Sequence, residues 1–223
     1  QRNTSTHDGG ALESHLSSFV IQSTLFKKNT AVQDGGSCWI HAGSGKILDS
    51  KFIKNTANSA GALSLDTAVY DLDDCNFKNN QAAYDGGAVY LKNLVASEIN
   101  KCKFKKNIAD HDGGALFIQN SAPAVKGSSF EKNVAQGDGG AMSVKRGAFS
   151  LKDSRLLRNA SAAAGGGLSV LDAAFTISDC EFHMNSGLFG GGISADSTVA
   201  SIKDVTITEN SASKHGGGIR LDD

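Results

Sequence analysis

The chain has a single proline, no long apolar run and no surplus of either charge, and each shortage removes a class of protein. One proline against 26 glycines in 223 residues is not the composition of a disordered Pro/Gly linker, so the glycine must serve a folded backbone. No stretch approaches the roughly 18 to 20 apolar residues that cross a bilayer. The opening residues, QRNTSTHDGG, lack the apolar centre of a signal peptide. With 22 Lys and Arg against 23 Asp and Glu, the composition carries no basic footprint for phosphates, and no nucleic-acid partner is expected. These shortages point to a soluble piece, already processed or part of something longer, with 39% hydrophobic residues available for a core.

The glycine is periodic. The second residue of each glycine-pair landmark falls at Gly10, Gly36, Gly61, Gly87, Gly114, Gly140, Gly166, Gly191 and Gly217, so that successive repeats are 25 to 27 residues long. An asparagine keeps the same beat: Asn3, Asn29, Asn55, Asn80, Asn107, Asn133, Asn159, Asn185 and Asn210. Three residues before it, from the second repeat on, stand Phe26, Phe52, Phe77, Phe104, Phe130, Leu156, Phe182 and Ile207.

A period of this length denotes a solenoid, propeller or array. After each glycine pair, apolar residues alternate with polar or aromatic ones, as in Leu63 and Leu65 or Leu116 and Ile118, which is strand periodicity and too short for a helix. A second apolar pair such as Ile47-Leu48 follows, then the strand around the Phe. Three short strands per repeat, with no room for the four of a propeller blade, predict an all-β chain. The expected fold is a right-handed parallel β-helix of about nine coils of about 26 residues, occupying 1–223 as one domain. At the strand spacing of a sheet the rod is about 40 Å long. The Phe row is expected as an internal stack and the Asn row, Asn29 to Asn210, as an internal amide ladder.

The pairing of Gly-Gly-Ala-apolar with Phe-x-x-Asn, as in GGAL and FKKN of FKKNIADHDGGALF, resembles the repeats of the chlamydial polymorphic outer membrane proteins and of other large cell-surface proteins. The resemblance covers essentially the whole chain. It implies a right-handed β-helix passenger used in adhesion, an extracellular or cell-surface location, and no catalytic signature. The sequence departs from the pattern at Ala60-Gly61, at the Gly-Gly-Gly of the last coils and where Leu156 and Ile207 replace Phe. It starts and stops inside a coil with no capping segment, so a fragment of a longer array is expected.

Several rows are candidate sites. Asp85, Asp112 and Asp138 precede their glycines in register with Asp8 and Asp34. Asp commonly begins turns by bonding its own backbone, and a stacked carboxylate row also suits Ca2+, giving Asp85, Asp112 and Asp138 as a candidate metal set. Asp110 and His111 are extra to the longest coil, with no partner set evident for His111. Positions three and five beyond the glycine put Trp39, Tyr90 and Phe117 beside His41, Lys92, Gln119 and Lys145 on one outward face, kept flat by small neighbours and suited to sugar rings or a protein partner. His15, His41 and Glu13 share that face, a weaker metal suggestion. Lys28, Lys54, Lys106, Lys132 and Arg158 form a basic row read as solvated charge that blunts sheet edges. Cys75 and Cys102 occupy equivalent places on adjacent coils, near enough for a disulfide but with parallel side chains that suit it poorly. Sequons at Asn3 and Asn159 fall on the ladder.

Two functions follow. One is a non-catalytic structural or adhesive module with protein partners or surface glycans, without cofactor and without membrane insertion by this segment. The other is a polysaccharide-binding or lyase/epimerase-like β-helix enzyme. Coils of 25 to 27 residues leave no insertion for the walls of a deep cleft, and no carboxylate pair is placed for glycoside hydrolysis, which favours the first.

Overall fold

The computed structural model describes residues 2–94, 96–196 and 198–222. Every strand pairing among them is parallel and joins one coil to the next, as in Leu63↔Val89, Phe77↔Phe104 and Gln81↔Ile108. Three sheets result, of 9, 15 and 8 strands. The largest contains both the strand after the glycines and the one that follows it. These merge into single eleven-residue strands at Met142–Lys152 and Leu168–Ser178. The three expected strands per coil are present, and the architecture is the all-β parallel solenoid that the period implies. A short strand after each Asn, two residues long as at Gln81–Ala82 except in the last two coils, makes the third sheet. It is too short to leave a hydropathy pattern, which is why the sequence does not announce it.

The strands turn at single residues. In the coil that begins at Gly61, Thr67, Asp74 and Asn79 all adopt left-handed φ, at 54°, 49° and 54°. That conformation costs an L-residue about 1 to 2 kcal/mol, and ladder pairing on either side of each corner holds it. The fourth corner is the glycine pair, whose members do different jobs. Gly113 has φ 64°, while a methyl group on Gly114 would collide with the carbonyl oxygen of Gly140 on the next coil. The second glycine thus lets adjacent coils close to sheet spacing.

Inside, Phe26, Phe52, Phe77, Phe104 and Phe130 stack with ring centroids 4.6 to 4.9 Å apart and planes within 11° of parallel. Beside them runs the amide ladder. Asn107 is typical: its Nδ2 donates to Asn133 Oδ1 at 3.0 Å and to the carbonyl of Phe77, while its Oδ1 accepts from the Nδ2 and backbone N–H of Asn80. Buried amides therefore have no free valence, as burial requires.

The coil also sorts charge. The near balance of the whole sequence hides a basic face on the phenylalanine sheet, because each Phe points inward and its neighbours point out. Residues 25–28, 51–54, 76–79, 103–106 and 129–132 read LFKK, KFIK, NFKN, KFKK and SFEK, nine lysines against one glutamate. The expectation of no basic footprint thus holds for the average and fails for this face.

Candidate functional site

The aspartate row and the outward side chains of the long sheet lie beside one another, joined by the ion pair of Lys145 with Asp112. Several outward residues of the strand after the glycines are covered: Phe117 is 2% exposed, and Ser64, Ser143, Ser169 and Ser194 are also buried. Phe117, expected outside and available, is therefore buried. Tyr90 meets it edge-on at 5.0 Å between centroids and donates its hydroxyl to Gln119 Oε1 at 2.5 Å. Burial first, then the charges of Asp85, Asp34 and Asp66, raise the Tyr90 phenol well above its usual range, so it stays a donor at any physiological pH.

Each carboxylate of the row bonds the next coil and not its own turn. Asp85 Oδ1 accepts from the N–H of Asp112 at 3.0 Å, Asp112 Oδ1 from that of Asp138 at 2.6 Å, and Asp138 Oδ1 from that of Ala164 at 2.9 Å. The row is therefore a second ladder, and stacking accounts for its register. Where it meets the long sheet, Lys145 Nζ reaches back one coil to Asp112 Oδ2 at 2.6 Å. Partial burial pulls the Lys145 ammonium down, but its hydrogen bond to Asp112 and the charges of Asp112, Asp138 and Asp85 outweigh this and raise it.

His111 joins the same cluster, although no partner for it is evident in the sequence. Its Nδ1 lies 2.8 Å from Asp85 Oδ1 and 3.4 Å from Asp112 Oδ2, and the hydrogen bond to Asp85 raises its pKa above 6.5. The turn itself holds no extra residue: His111 takes the place of Tyr84 and Gly137 on the adjacent coils, and that register, one coil from Asp85, is the signal that could have found the contact. Among the described residues, the ligand atoms brought within 4.8 Å of one another are those of Asp85, His111 and Asp112. Asp138, named with Asp85 and Asp112 for Ca2+, is not in that group, and Lys145 already supplies Asp112 with a cation.

The earlier coils of this face are aromatic. Trp39 stacks on His41 at 5.5 Å and 8°, and His15 approaches Trp39 edge-on at 4.8 Å. His15 Nε2 is 3.1 Å from Glu13, whereas His41 Nδ1 and Lys92 Nζ both lie 3.7 Å from Asp66. Asp66, which ends the strand Leu63–Asp66, is a residue of this face missed in the sequence.

All four cysteines are free thiols. Cys75 Sγ donates to the carbonyl of Ile47 at 3.2 Å and Cys102 Sγ to that of Asn100 at 3.3 Å. Asn159 is fully buried, so its sequon is closed to glycosylation in the folded chain.

Uniform parallel coils, laddered inside and without a helix among the described residues, define a parallel β-helix. The family model described as right handed beta helix region matches residues 16–223, and the chain belongs to that family. Neither curated proteins nor solved structures give a match.

Proposed function

We propose that this chain is a non-catalytic structural or adhesive module, a rigid rod of an extracellular or cell-surface protein that presents laddered side chains to a glycan or protein partner. The observation that carries this reading is the constancy of the coil. Repeats of 25 to 27 residues close on the same corners and leave no long loops to exclude water from a reaction. Trp39 and Tyr90, with carboxylates nearby, offer the apolar face and hydrogen-bond acceptors that a sugar or a polar protein surface uses. The likeness of the repeats to those of polymorphic outer membrane proteins supports the location and the adhesive role.

One observation favours a second reading, a lyase- or epimerase-like enzyme. Asp85, His111, Asp112 and Lys145 form a single hydrogen-bonded cluster with Tyr90 on the same face, and an imidazole held by carboxylates beside an ammonium group is the kind of set that proton transfer uses. A screen of acidic and neutral polysaccharides with the intact protein separates the two. Retention of polymer without shortening or unsaturated products is expected. Turnover abolished by His111→Gln would overturn the non-catalytic reading.

A further inference from the structure

We infer that the basic face of the phenylalanine sheet is a binding surface for a linear anionic polysaccharide, one carrying a carboxylate or sulfate on each sugar. The inference rests on the partner-presenting reading but uses a different face from that of Trp39 and Tyr90 and names the partner's chemistry.

Its first support is the charge itself. Across five successive coils the outward and corner positions carry nine lysines and one glutamate. Glu131 is taken up by Lys105 at 2.7 Å and Lys132 at 3.5 Å. Among the described residues, none of the other seven lysines has a carboxylate within ion-pair distance. The aspartates nearest in sequence, Asp49 and Asp74, stand at the corner toward the long sheet and leave the opposite corner of these coils, with Lys28, Lys54, Asn79, Lys106 and Lys132, free of acidic residues. Blunting a sheet edge does not explain this density, because the face lies along the rod and four of its five strands are paired on both sides.

The second support is spacing. Equivalent lysines recur at one strand separation, about 4.8 Å. An extended polysaccharide advances by about the same distance per pyranose ring, so a chain laid along the rod keeps step with the coils, and each of its anionic groups that faces the protein meets a lysine.

The third is a shallow cavity of about 410 Å³ at that corner. Asn79 interrupts the lysine row there, and Lys106 and Lys132 flank a floor made by Ile108 and Val134, with the Gln81 amide at the rim. An aliphatic floor accepts the C–H face of one sugar ring, the amides suit its hydroxyls, and the two ammonium groups suit its charge. Nucleic acid fits less well. Single strands are held largely by stacking on aromatic side chains, and every aromatic ring of this sheet in these coils points into the core.

The test measures binding of the intact protein to immobilised polygalacturonate, dextran sulfate, neutral dextran and poly(dA) over a range of salt. Retention on both anionic glycans and none on dextran is expected, with affinity falling steeply as salt rises. Lys106→Glu with Lys132→Glu should weaken it by ~tenfold or more. Glutamate is tolerated at this corner, since Glu209 holds the same left-handed conformation at φ 55°. Lys46→Glu with Lys203→Glu, equal in charge but on the long sheet, should leave affinity unchanged. No retention on either anionic glycan at low salt, equal loss in both double variants, or tighter binding of poly(dA) than of the glycans would overturn the inference. Cleavage of the same polymers would instead speak against the non-catalytic reading, so the two failures are distinguishable.

Discussion

At the scale of the residue, the most informative side chain is His111. An imidazole with a raised pKa adds stability that is fully present below its unfolded value of 6.5 and is lost as pH rises through the higher folded value. An NMR titration should therefore place the His111 midpoint above 6.5, and Asp85→Asn should move it down. An unmoved midpoint would mean that the Asp85 contact is not made in solution. Lys145, raised by the same acids, should show the complementary effect: Lys145→Met leaves Asp112, which is 2% exposed, without its counter-ion. Loss of about 3 kcal/mol in denaturant melts is expected, the scale for an uncompensated buried charge.

At the scale of the element, strand and corner make separate demands. Phe104 is held between Phe77 and Phe130 at 4.9 and 4.6 Å, so Phe104→Ala removes two stacking contacts and opens a cavity, with an expected cost of about 3 to 5 kcal/mol. The corner at Asp74 is exposed yet left-handed. Asp74→Val should cost about 1 to 2 kcal/mol through backbone strain alone, and Asp74→Gly should not; equal melting of the two would remove the conformational explanation. These elements also mark how far the sequence could be read. Glycine pairs, the Phe row and the Asn row repeat in identity, so they exposed the solenoid and its interior. The corners vary freely among Thr, Asp, Asn and Lys because their common property is a backbone angle. Cover from neighbouring coils leaves no trace in the alternation, which is why Phe117 looked outward and yet is buried. The basic row was legible at one corner, but the outward lysines beside it, such as Lys51, Lys78 and Lys103, were not grouped with it.

At the scale of the whole molecule, every strand pairing joins a coil to its immediate neighbour, although Tyr70 reaches past one coil to the carbonyl of Ser17, and what travels along the rod travels mainly through the ladders. The asparagine amides do so with a fixed sense. From Asn55 to Asn185 each Nδ2 donates to the Oδ1 of the coil that follows it. The amide dipoles accordingly add head to tail, and each bond polarises the next. The interior contains, in effect, a wire of aligned dipoles about as long as the protein. A cut in its middle weakens two long segments, whereas a cut near its end weakens one. Asn107→Leu should therefore destabilise the fold by about 3 kcal/mol, and by more than Asn185→Leu, although the two side chains are equally buried. Equal losses would mean that the rungs act independently. An aligned wire also gives a rod of near-neutral charge an electrical direction, with its donor and acceptor ends distinguishable to whatever meets them.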